Sequence, residues 1–371
     1  MLLNTEELRK VITNVKSFNG TKNLGVSEFK NLNFFFKDNN IYISTFGDFH
    51  SIHKVTFTYK FTCESIPFNN TLYSINIDDF LNSLKFFGQN IELDFQELFM
   101  DLHNPELQTQ KIRINRVNND ETIISYFNEF FNHISDEVFT NRSNVINNDK
   151  INVLIEQLKF RILDKQDTNA YICFLPDCLS VQQFNYTTIN DTVYNLDCKI
   201  PTDILKFALN MNNESLNIQE LQGVLTINSD KLYIKIDEIN NNYHQVSGFS
   251  VNNRNKLVLN KQEILKNISL IEPFIKENTG YFLFKENKLT ISNVSNPLTE
   301  GFSIVVSNDI DIEHNYNTEL TLGFDLKILK GLINLLNSEM IDMYIENVEG
   351  DFLCFVIDEH NKNILAIESY S

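Results

Sequence analysis

Apolar residues recur at helical spacing in six short segments of the chain. In "NTEELRKVITNVKSF", Leu8, Val11 and Val15 lie three or four positions apart, which predicts a helix with one apolar face. Asn4 stands before this segment as a candidate N-cap, with Glu7 three residues later. The six predicted helices cover residues 5–18, 76–87, 148–165, 202–211, 260–277 and 325–337.

Between these segments, apolar and polar residues alternate in runs of strand length. Four pairs of such runs predict hairpins, which turn at residues 38–40, 228–230, 286–287 and 349–350. Helix starts recur about every 55 to 70 residues, so one helix and about four strands form a repeat that occurs six times. One repeat is too small to form a stable domain by itself, whereas two repeats make a domain of ordinary size.

The repeat predicts an α+β fold of three similar domains, each made of two repeats. We place the domains at residues 1–130, 140–251 and 252–371, with boundaries near 125–145 and 250–256. The segment 130–149 is interpreted as a linker, and "SVNNRNK" at the second boundary is polar and typical of a turn.

Composition narrows the classes of protein to consider. The net charge is −18, which argues against a chain that binds nucleic acid over its whole surface. No apolar run reaches membrane-spanning length, and no signal peptide is recognisable, so we expect a cytoplasmic protein. The five cysteines form no C-x-x-C pair and suit a reducing compartment.

No nucleotide-binding loop or nucleophile motif occurs in the sequence. We therefore expect no catalytic activity and no cofactor, although an enzyme with an unrecognised α+β site is kept as a lesser hypothesis. Asp48, His50 and His53 form a local cluster. The two histidines have no third ligand at the spacing of a standard metal site, so a strand–loop surface is favoured over a metal site.

The charge is unevenly distributed along the chain. The six predicted helices carry 14 basic and 12 acidic residues, whereas the rest of the chain carries 17 basic and 37 acidic residues. Most helical acids lie in first turns, where the helix dipole favours them. The cations of the later turns are Lys10, Lys16, Lys85, Lys159, Arg161, Lys206, Lys266, Lys327 and Lys330. They form either a shared basic face or a merely solubilising surface, and charge counting does not separate the two.

The segment "LTLGFDLKILKGLINLLNSEMIDMYI" resembles the third-domain segment of bacterial DNA polymerase sliding clamps, the β-subunit type of processivity factor. Five residues stand where the pattern of that family places such residues: Gly323, Phe324, Leu332, Asn334 and Leu336. "CKIPTDILKFALNM" and "YSINIDDFLNSLKFFG" resemble the corresponding helix entries of the second and first domains. Total length and helix order also fit, so the resemblance covers the whole chain.

This resemblance implies two chains closed head to tail into a ring, with twelve helices around duplex DNA and the sheets outside. The implied function is a processivity factor that tethers the replicative polymerase, without sequence-specific DNA contacts. The cations named above would face DNA. The alternative is a clamp-fold interaction scaffold that does not encircle DNA.

The family also implies a pocket for peptides of the polymerase and the clamp loader, between the second and third domains. In this chain its apolar residues would be Ile172, Leu365, Ala366 and Ile367. The family's Asp-Gly-His-Arg-Leu stretch is replaced by "FNYTTIND", and Glu368 stands near the position of a terminal proline. We therefore expect altered partner recognition, as in a divergent or viral clamp acting in a host cytoplasm.

Overall fold

The fold is that of a computed structural model, which describes most of the chain. The described residues are 1–19, 31–49, 53–63, 72–106, 111–117, 121–133, 138–139, 144–161, 170–183, 186–211, 215–237, 256–275, 279–285, 288–295, 307–311, 320–348, 351–359 and 361–370. Of the sequence cluster at residues 48–53, His50 lies outside them. Among the described residues, no helix combines the length and apolar character that crossing a membrane requires.

The helices are α1 Thr5–Asn19, α2 Ile77–Leu84, α3 Glu121–His133, α4 Asn148–Arg161, α5 Thr202–Met211, α6 Lys261–Ile271 and α7 Leu326–Asn334. The first twelve strands are β1 Leu2–Asn4, β2 Asn31–Lys37, β3 Asn40–Phe49, β4 His53–Thr62, β5 Leu72–Asn76, β6 Asn90–Phe95, β7 Phe99–His103, β8 Lys111–Asn115, β9 Val145–Asn147, β10 Tyr171–Phe174, β11 Leu179–Gln183 and β12 Tyr186–Asn190. The next twelve are β13 Cys198–Pro201, β14 Ser215–Leu221, β15 Val224–Asn228, β16 Leu232–Asp237, β17 Lys256–Asn260, β18 Thr279–Lys285, β19 Lys288–Ser292, β20 Ser307–Asp311, β21 Leu320–Asp325, β22 Met340–Val348, β23 Asp351–Ile357 and β24 Asn361–Tyr370.

These elements confirm the repeat of one helix and four strands. Each repeat runs strand, helix, strand, strand, strand, and six copies use all 24 described strands. Consecutive repeats exchange their first strands: β1 pairs with β6 and β5 with β2, β9 with β14 and β13 with β10, and β17 with β22 and β21 with β18. This exchange joins the repeats two by two, which gives three similar α+β domains. The domain boundaries at 130–140 and 251–252 stay a prediction.

The last strands of the repeats join neighbouring sheets. β4 pairs antiparallel with β16, and β12 pairs antiparallel with β24. By its contacts the chain divides into two compact units, residues 1–153 with 203–241 and residues 154–202 with 242–371. The first unit holds the β4·β16 junction and the second holds the β12·β24 junction.

An Asn or Asp N-cap precedes five of the six repeat helices. The side chains of Asn4, Asn147, Asn260 and Asp325 each accept a hydrogen bond from the backbone N–H three residues later, at 2.9 to 3.2 Å. Asn76 accepts from the N–H groups of residues 78 and 79. Each of these side chains satisfies donors that the first helical turn leaves unpaired. The cap therefore recurs in five of the six repeats, and α5 instead follows Pro201.

The four predicted hairpins are present. β2 and β3 are joined by Asp38 and Asn39, which have φ angles of 51° and 57°. Two consecutive positive φ values are typical of a type I′ turn, whose twist matches that of the flanking strands. The other three hairpins are β15–β16, β18–β19 and β22–β23.

The interpretation of residues 130–149 as a linker is wrong for its first part. Residues 121–133 form α3, whose aromatic side chains pack on the first compact unit. Phe131 stacks on Phe35 of β2 with centroids 4.2 Å apart, and Phe130 contacts Tyr233 of β16 at 6.0 Å. Tyr126 contributes a short hydroxyl contact to Thr56 of β4. The helix therefore covers strands on both sides of the β4·β16 junction.

Several predicted helix ends also need correction. The segment 76–87 is helical only at Ile77–Leu84, and α7 ends at Asn334 rather than 337. α6 ends at Ile271 and continues as a 3₁₀ turn at Glu272–Phe274, because Pro273 cannot extend the hydrogen-bond ladder. The helix predicted at 148–165 is described as far as Arg161, and residues 162–165 lie outside the described part.

Candidate nucleic-acid interface

α1 and α2 form an antiparallel pair that carries three of the predicted DNA-binding cations. Arg9, near the start of α1, donates to the carbonyl oxygen of Leu84 at the end of α2, at 2.8 Å. Lys16, near the end of α1, lies 2.6 Å from Asp78 at the start of α2. The apolar face of α1 is shielded from solvent, since Leu8 and Ile12 are fully buried. The exposed faces of the pair carry the lysines.

α6 and α7 repeat this arrangement in the second compact unit. Lys261 at the start of α6 donates to the carbonyl oxygen of Leu336, just beyond α7, at 2.5 Å. Lys330 of α7 lies 2.6 Å from Glu272 at the end of α6. In both helix pairs, a cation near the start of one helix therefore satisfies carbonyl groups that the end of the other leaves free.

The predicted DNA-binding cations differ in their surroundings. Lys10, Lys266 and Lys327 are exposed and have no ion-pair partner among the described residues. Four others have partners: Lys16 with Asp78, Lys85 with Asn82, Lys206 with Asp203 and Lys330 with Glu272. Lys159 and Arg161 lie on α4, and their side chains fall outside the described atoms.

The helices of the first unit bring part of the set together. Lys10 and Lys16 share α1, which packs on α2 with Lys85. The amide of Asn14 contacts the Met211 sulfur at 3.1 Å and so links α1 to α5, which bears Lys206. In the second unit Lys266, Lys327 and Lys330 share the α6–α7 pair. Each cluster is a set of exposed or half-exposed cations over a closed apolar layer, which suits weak and non-directional phosphate contacts.

The residues predicted for the peptide pocket lie on two strands of one sheet, β10 and β24. Ile172 is fully buried in the middle of β10, and β11 and β12 lie between it and β24 in the sheet. Residues 365–367 lie on β24, and their side chains fall outside the described atoms. Backbone register places Leu365 opposite Tyr186 of β12, and Ile367 opposite Phe352 of β23. The pocket therefore stays a prediction.

Sequence reasoning missed a charged cluster on β7 and β8. Asp101 is almost fully buried, and Arg113 donates to its two oxygens at 2.8 and 3.1 Å. Lys111 approaches the same carboxylate at 2.6 Å. The hydrogen bond from Arg113 is the main cause that holds the pKa of Asp101 below its usual range. The alternation in "KIRIN" marks the basic residues of β8, but nothing in the sequence marks Asp101 as their buried partner.

A metal ion is less favoured at this cluster than the two basic side chains that already pair with Asp101. Asp94, Asp101 and His103 have ligand atoms within 4.8 Å of one another. Asp101 is already neutralised by two cations, and Asp94 accepts a hydrogen bond from Gln96 at 2.9 Å. A cation would have to displace these partners, so we assign the cluster a role in charge pairing instead.

The chain has no match among protein-family models, and none among curated proteins. Solved structures of bacterial beta clamps share its fold over the whole length. The DNA polymerase III subunit beta of Pseudomonas aeruginosa has a TM-score of 0.67 at 11% identity, with 100% of both chains covered. The sliding clamp of Bacillus subtilis has a TM-score of 0.66 at 13% identity, with 100% of this chain and 99% of that one covered. The Helicobacter pylori clamp bound to a DNA ligase peptide has a TM-score of 0.63 at 12% identity, with full coverage of both chains. The chain thus has the clamp fold.

Proposed function

We propose that this protein is a DNA sliding clamp. Two chains close head to tail into a ring that encircles duplex DNA and tethers a replicative DNA polymerase as its processivity factor. The observation that carries the proposal is the sixfold repeat with exchanged first strands, which matches the clamp fold from end to end. Two chains would supply twelve repeat helices, enough to line a hole around DNA.

The charge distribution supports a DNA-facing helical layer. Lys10, Lys266 and Lys327 extend from the repeat helices without a partner among the described residues. Lys16 and Lys330 pair with half-exposed carboxylates, which compete only weakly with phosphate because exposed ion pairs contribute about 0–1 kcal/mol. The strand-rich remainder of the chain is acidic, which disfavours DNA there. A ring held by topology needs no tight contact, so weak and diffuse attraction permits sliding.

Retention on closed DNA tests the proposal directly. Chains are assembled into rings in the presence of a nicked circular plasmid, and gel filtration at high salt then removes protein held by charge alone. We expect protein to stay with the circle and to be lost once the plasmid is cut, since a ring slides off free ends. Equal loss from circular and linear DNA would support the alternative, a clamp-fold scaffold that does not encircle DNA.

A charge-reversed variant tests the helical layer. Changing Lys10, Lys266 and Lys327 to Glu should reduce loading and processive synthesis at any DNA sequence, while single changes cost little. A matched control changes three strand lysines, Lys37, Lys54 and Lys288, to Glu, which alters the net charge equally. If both triple variants behave alike, the helix lysines only solubilise the surface.

Partner binding is proposed for the β24 side of the second unit. The ligase peptide bound to the Helicobacter pylori clamp supports peptide docking on this fold. Leu365, Ala366 and Ile367 would supply apolar anchors for peptides of a polymerase or a clamp loader. The protein would act by binding, in the cytoplasm, and the proposal includes no catalytic step.

A further inference from the structure

Each of the two helix pairs is held by two polar contacts of different kinds. In the first kind, a cation donates to a backbone carbonyl group at the end of the neighbouring helix, as Arg9 does in the first unit and Lys261 in the second. The second kind is a lysine–carboxylate pair with 2.6 Å between the charged atoms, and its two examples are Lys16–Asp78 and Lys330–Glu272. Both compact units therefore use the same two contacts, and only the second kind involves predicted DNA-binding lysines.

The lysine–carboxylate pairs contribute little to holding the helices together. Lys16 and Asp78 are 48% and 57% exposed, and Lys330 and Glu272 are 33% and 37% exposed. Ion pairs exposed to this degree are screened by water and salt, and they stabilise a fold only weakly. The helix ends are already tied by the cations that donate to backbone carbonyl groups. The carboxylates therefore matter mainly through the charge that they give to the surface.

A paired lysine attracts phosphate less than an unpaired lysine does. Seen from a distance, a carboxylate at 2.6 Å cancels most of the field of the ammonium group. A phosphate that displaces the carboxylate still meets its repulsion, because Asp78 and Glu272 stay fixed on the neighbouring helix. Such a contact is weakened without being blocked. Lys10, Lys266 and Lys327 have no ion-pair partner among the described residues, so their contacts are not weakened in this way.

We infer that Asp78 and Glu272 limit the attraction of the helices for DNA, so that the ring slides along the duplex instead of holding one position. This rests on the proposed sliding clamp and assigns a role to two acidic residues beside its DNA-binding lysines. Phosphate contacts must break before a ring can advance, so friction rises with their number and strength. The two carboxylates weaken two lysines of each chain, which makes four in a ring of two chains.

Asp78→Asn combined with Glu272→Gln tests this role. Both changes remove a charge and keep the size of the side chain, which leaves Lys16 and Lys330 available to phosphate. A ring of two chains then gains up to four full phosphate contacts. Because the logarithm of the affinity falls with the logarithm of the salt concentration by about 0.9 per contact, that slope should become steeper by up to about 3.6. The double variant should therefore bind DNA more tightly at low salt and slide more slowly.

The strands provide a matched control for the change in net charge. Lys235 and Asp237 pair at 2.8 Å in the first unit, and Lys256 and Asp342 pair at 2.6 Å in the second. These side chains are between 22% and 38% exposed, which is close to the exposure of the Lys330–Glu272 pair. Asp237→Asn combined with Asp342→Asn therefore removes the same number of charges from similar ion pairs.

The carboxylates of the control pairs lie on sheet faces away from the repeat helices. Met343 packs in one core with residues of α6 and α7, so alternation along β22 places Asp342 on the opposite face. Asp237 shares a face of β16 with Tyr233, which contacts α3, a helix outside the repeat. The control variant should therefore slide as the parent does.

Single-molecule tracking measures the sliding directly. Fluorescent chains are assembled into rings around a linear duplex whose two ends are blocked, and the diffusion coefficient is recorded from about 50 to 200 mM salt. We expect the Asp78→Asn/Glu272→Gln variant to diffuse several-fold more slowly than the parent at the lowest salt concentration. The difference should shrink as salt rises, because salt screens the added contacts. The control variant should match the parent at every salt concentration.

The outcomes separate the role of the acidic residues from the clamp itself. Equal diffusion of the parent and the Asp78→Asn/Glu272→Gln variant, or equal slowing by the control variant, would overturn that role and leave the sliding clamp in place. A parent that is not retained between the blocked ends would overturn the sliding clamp. Urea unfolding gives a second check, since the midpoints of both double variants should stay close to that of the parent. A midpoint lowered only in Asp78→Asn/Glu272→Gln would show that these pairs serve to hold the helices.

Discussion

The guanidinium of Arg9 donates a hydrogen bond to the carbonyl oxygen of Leu84, 2.8 Å away, and so ties the start of α1 to the end of α2. A second donation reaches the carbonyl oxygen of Phe87 at 3.5 Å. Leu84 ends α2 and Phe87 lies just beyond it, so no N–H of a further helical turn reaches either carbonyl oxygen. The carbonyl oxygen of Leu84 also accepts from the backbone N–H of Phe87 at 3.3 Å. The side chain is therefore part of the structure of the helix pair and is not available to DNA.

Arg9→Ala should lower the free energy of unfolding by about 1.5–3 kcal/mol, as expected for hydrogen bonds to a charged group. Urea unfolding followed by circular dichroism measures the change. Lys10→Ala is the matched control, because the neighbouring Lys10 is exposed and has no ion-pair partner among the described residues. Its stability should change by less than about 0.5 kcal/mol. Equal losses in the two variants would contradict the assignment of Arg9 to the helix junction.

Gly280 fits against Leu326 at the start of α7. A Cβ atom at Gly280 would lie 2.4 Å from Leu326 Cδ1 and 2.6 Å from its Cγ. Because Leu326 is fully buried, it has no free space to move into, and Gly280→Ala should cost about 1–3 kcal/mol through overpacking. Gly88→Ala is the control, since nothing lies within 4 Å of a Cβ there. The double variant Gly280→Ala/Leu326→Ala should lose less stability than the sum of the two single losses, because the shorter side chain at position 326 leaves room for the new methyl group. Single losses that simply add would contradict the contact.

α3 is the part of the fold that sequence reasoning missed. Its segment "ETIISYFNEFFNH" carries four aromatic residues and two isoleucines, but it has no equivalent in the other repeats. The repeat itself was predictable because helix periodicity and strand alternation recur six times. A single element with no equivalent elsewhere gives no such periodic signal, so polar residues around it favoured a linker.

Phe131→Ala tests whether α3 is packed as described. The ring is buried and contacts Phe35, Tyr42 and Phe127. Its removal should cost about 3–5 kcal/mol. Hydrogen exchange should also rise in β2 and β3, which lie under the helix. Asn132→Ala, one position along on the exposed side, should change neither property, and a similar effect of both variants would contradict the packing.

The candidate interface was predictable only in part. Lysines in the later turns of repeat helices follow from sequence, since helix periodicity and charge are both local. The ion pairs that occupy Lys16 and Lys330 depend on the helix pairing, which brings Asp78 and Glu272 from other segments. Ile172 was assigned to a pocket from a local match, but strand order alone decides that two strands separate it from β24. Information of this kind is not local in the sequence.

The pH dependence of stability should report the Asp101 cluster. Because Arg113 and Lys111 hold the pKa of Asp101 below its usual range, the stability that this cluster contributes is complete above the unfolded pKa of about 4. It is lost as the pH falls through the folded pKa, when the carboxylate is protonated. Asp101→Asn lacks this titration, so the difference between parent and variant should be largest at neutral pH and shrink in strong acid.

Urea midpoints of parent and Asp101→Asn at pH 7, 5 and 3 make this comparison, with Asp94→Asn as the control. Asp94 lies opposite Asp101 on β6 but is exposed and forms no ion pair with Lys111 or Arg113. The control should be close to the parent at pH 7, because exposed carboxylates contribute little. A parent–variant difference for Asp101 that stays constant from pH 7 to pH 3 would show that the carboxylate stabilises by packing alone. A difference that grows in acid would reverse the sign required by a lowered pKa.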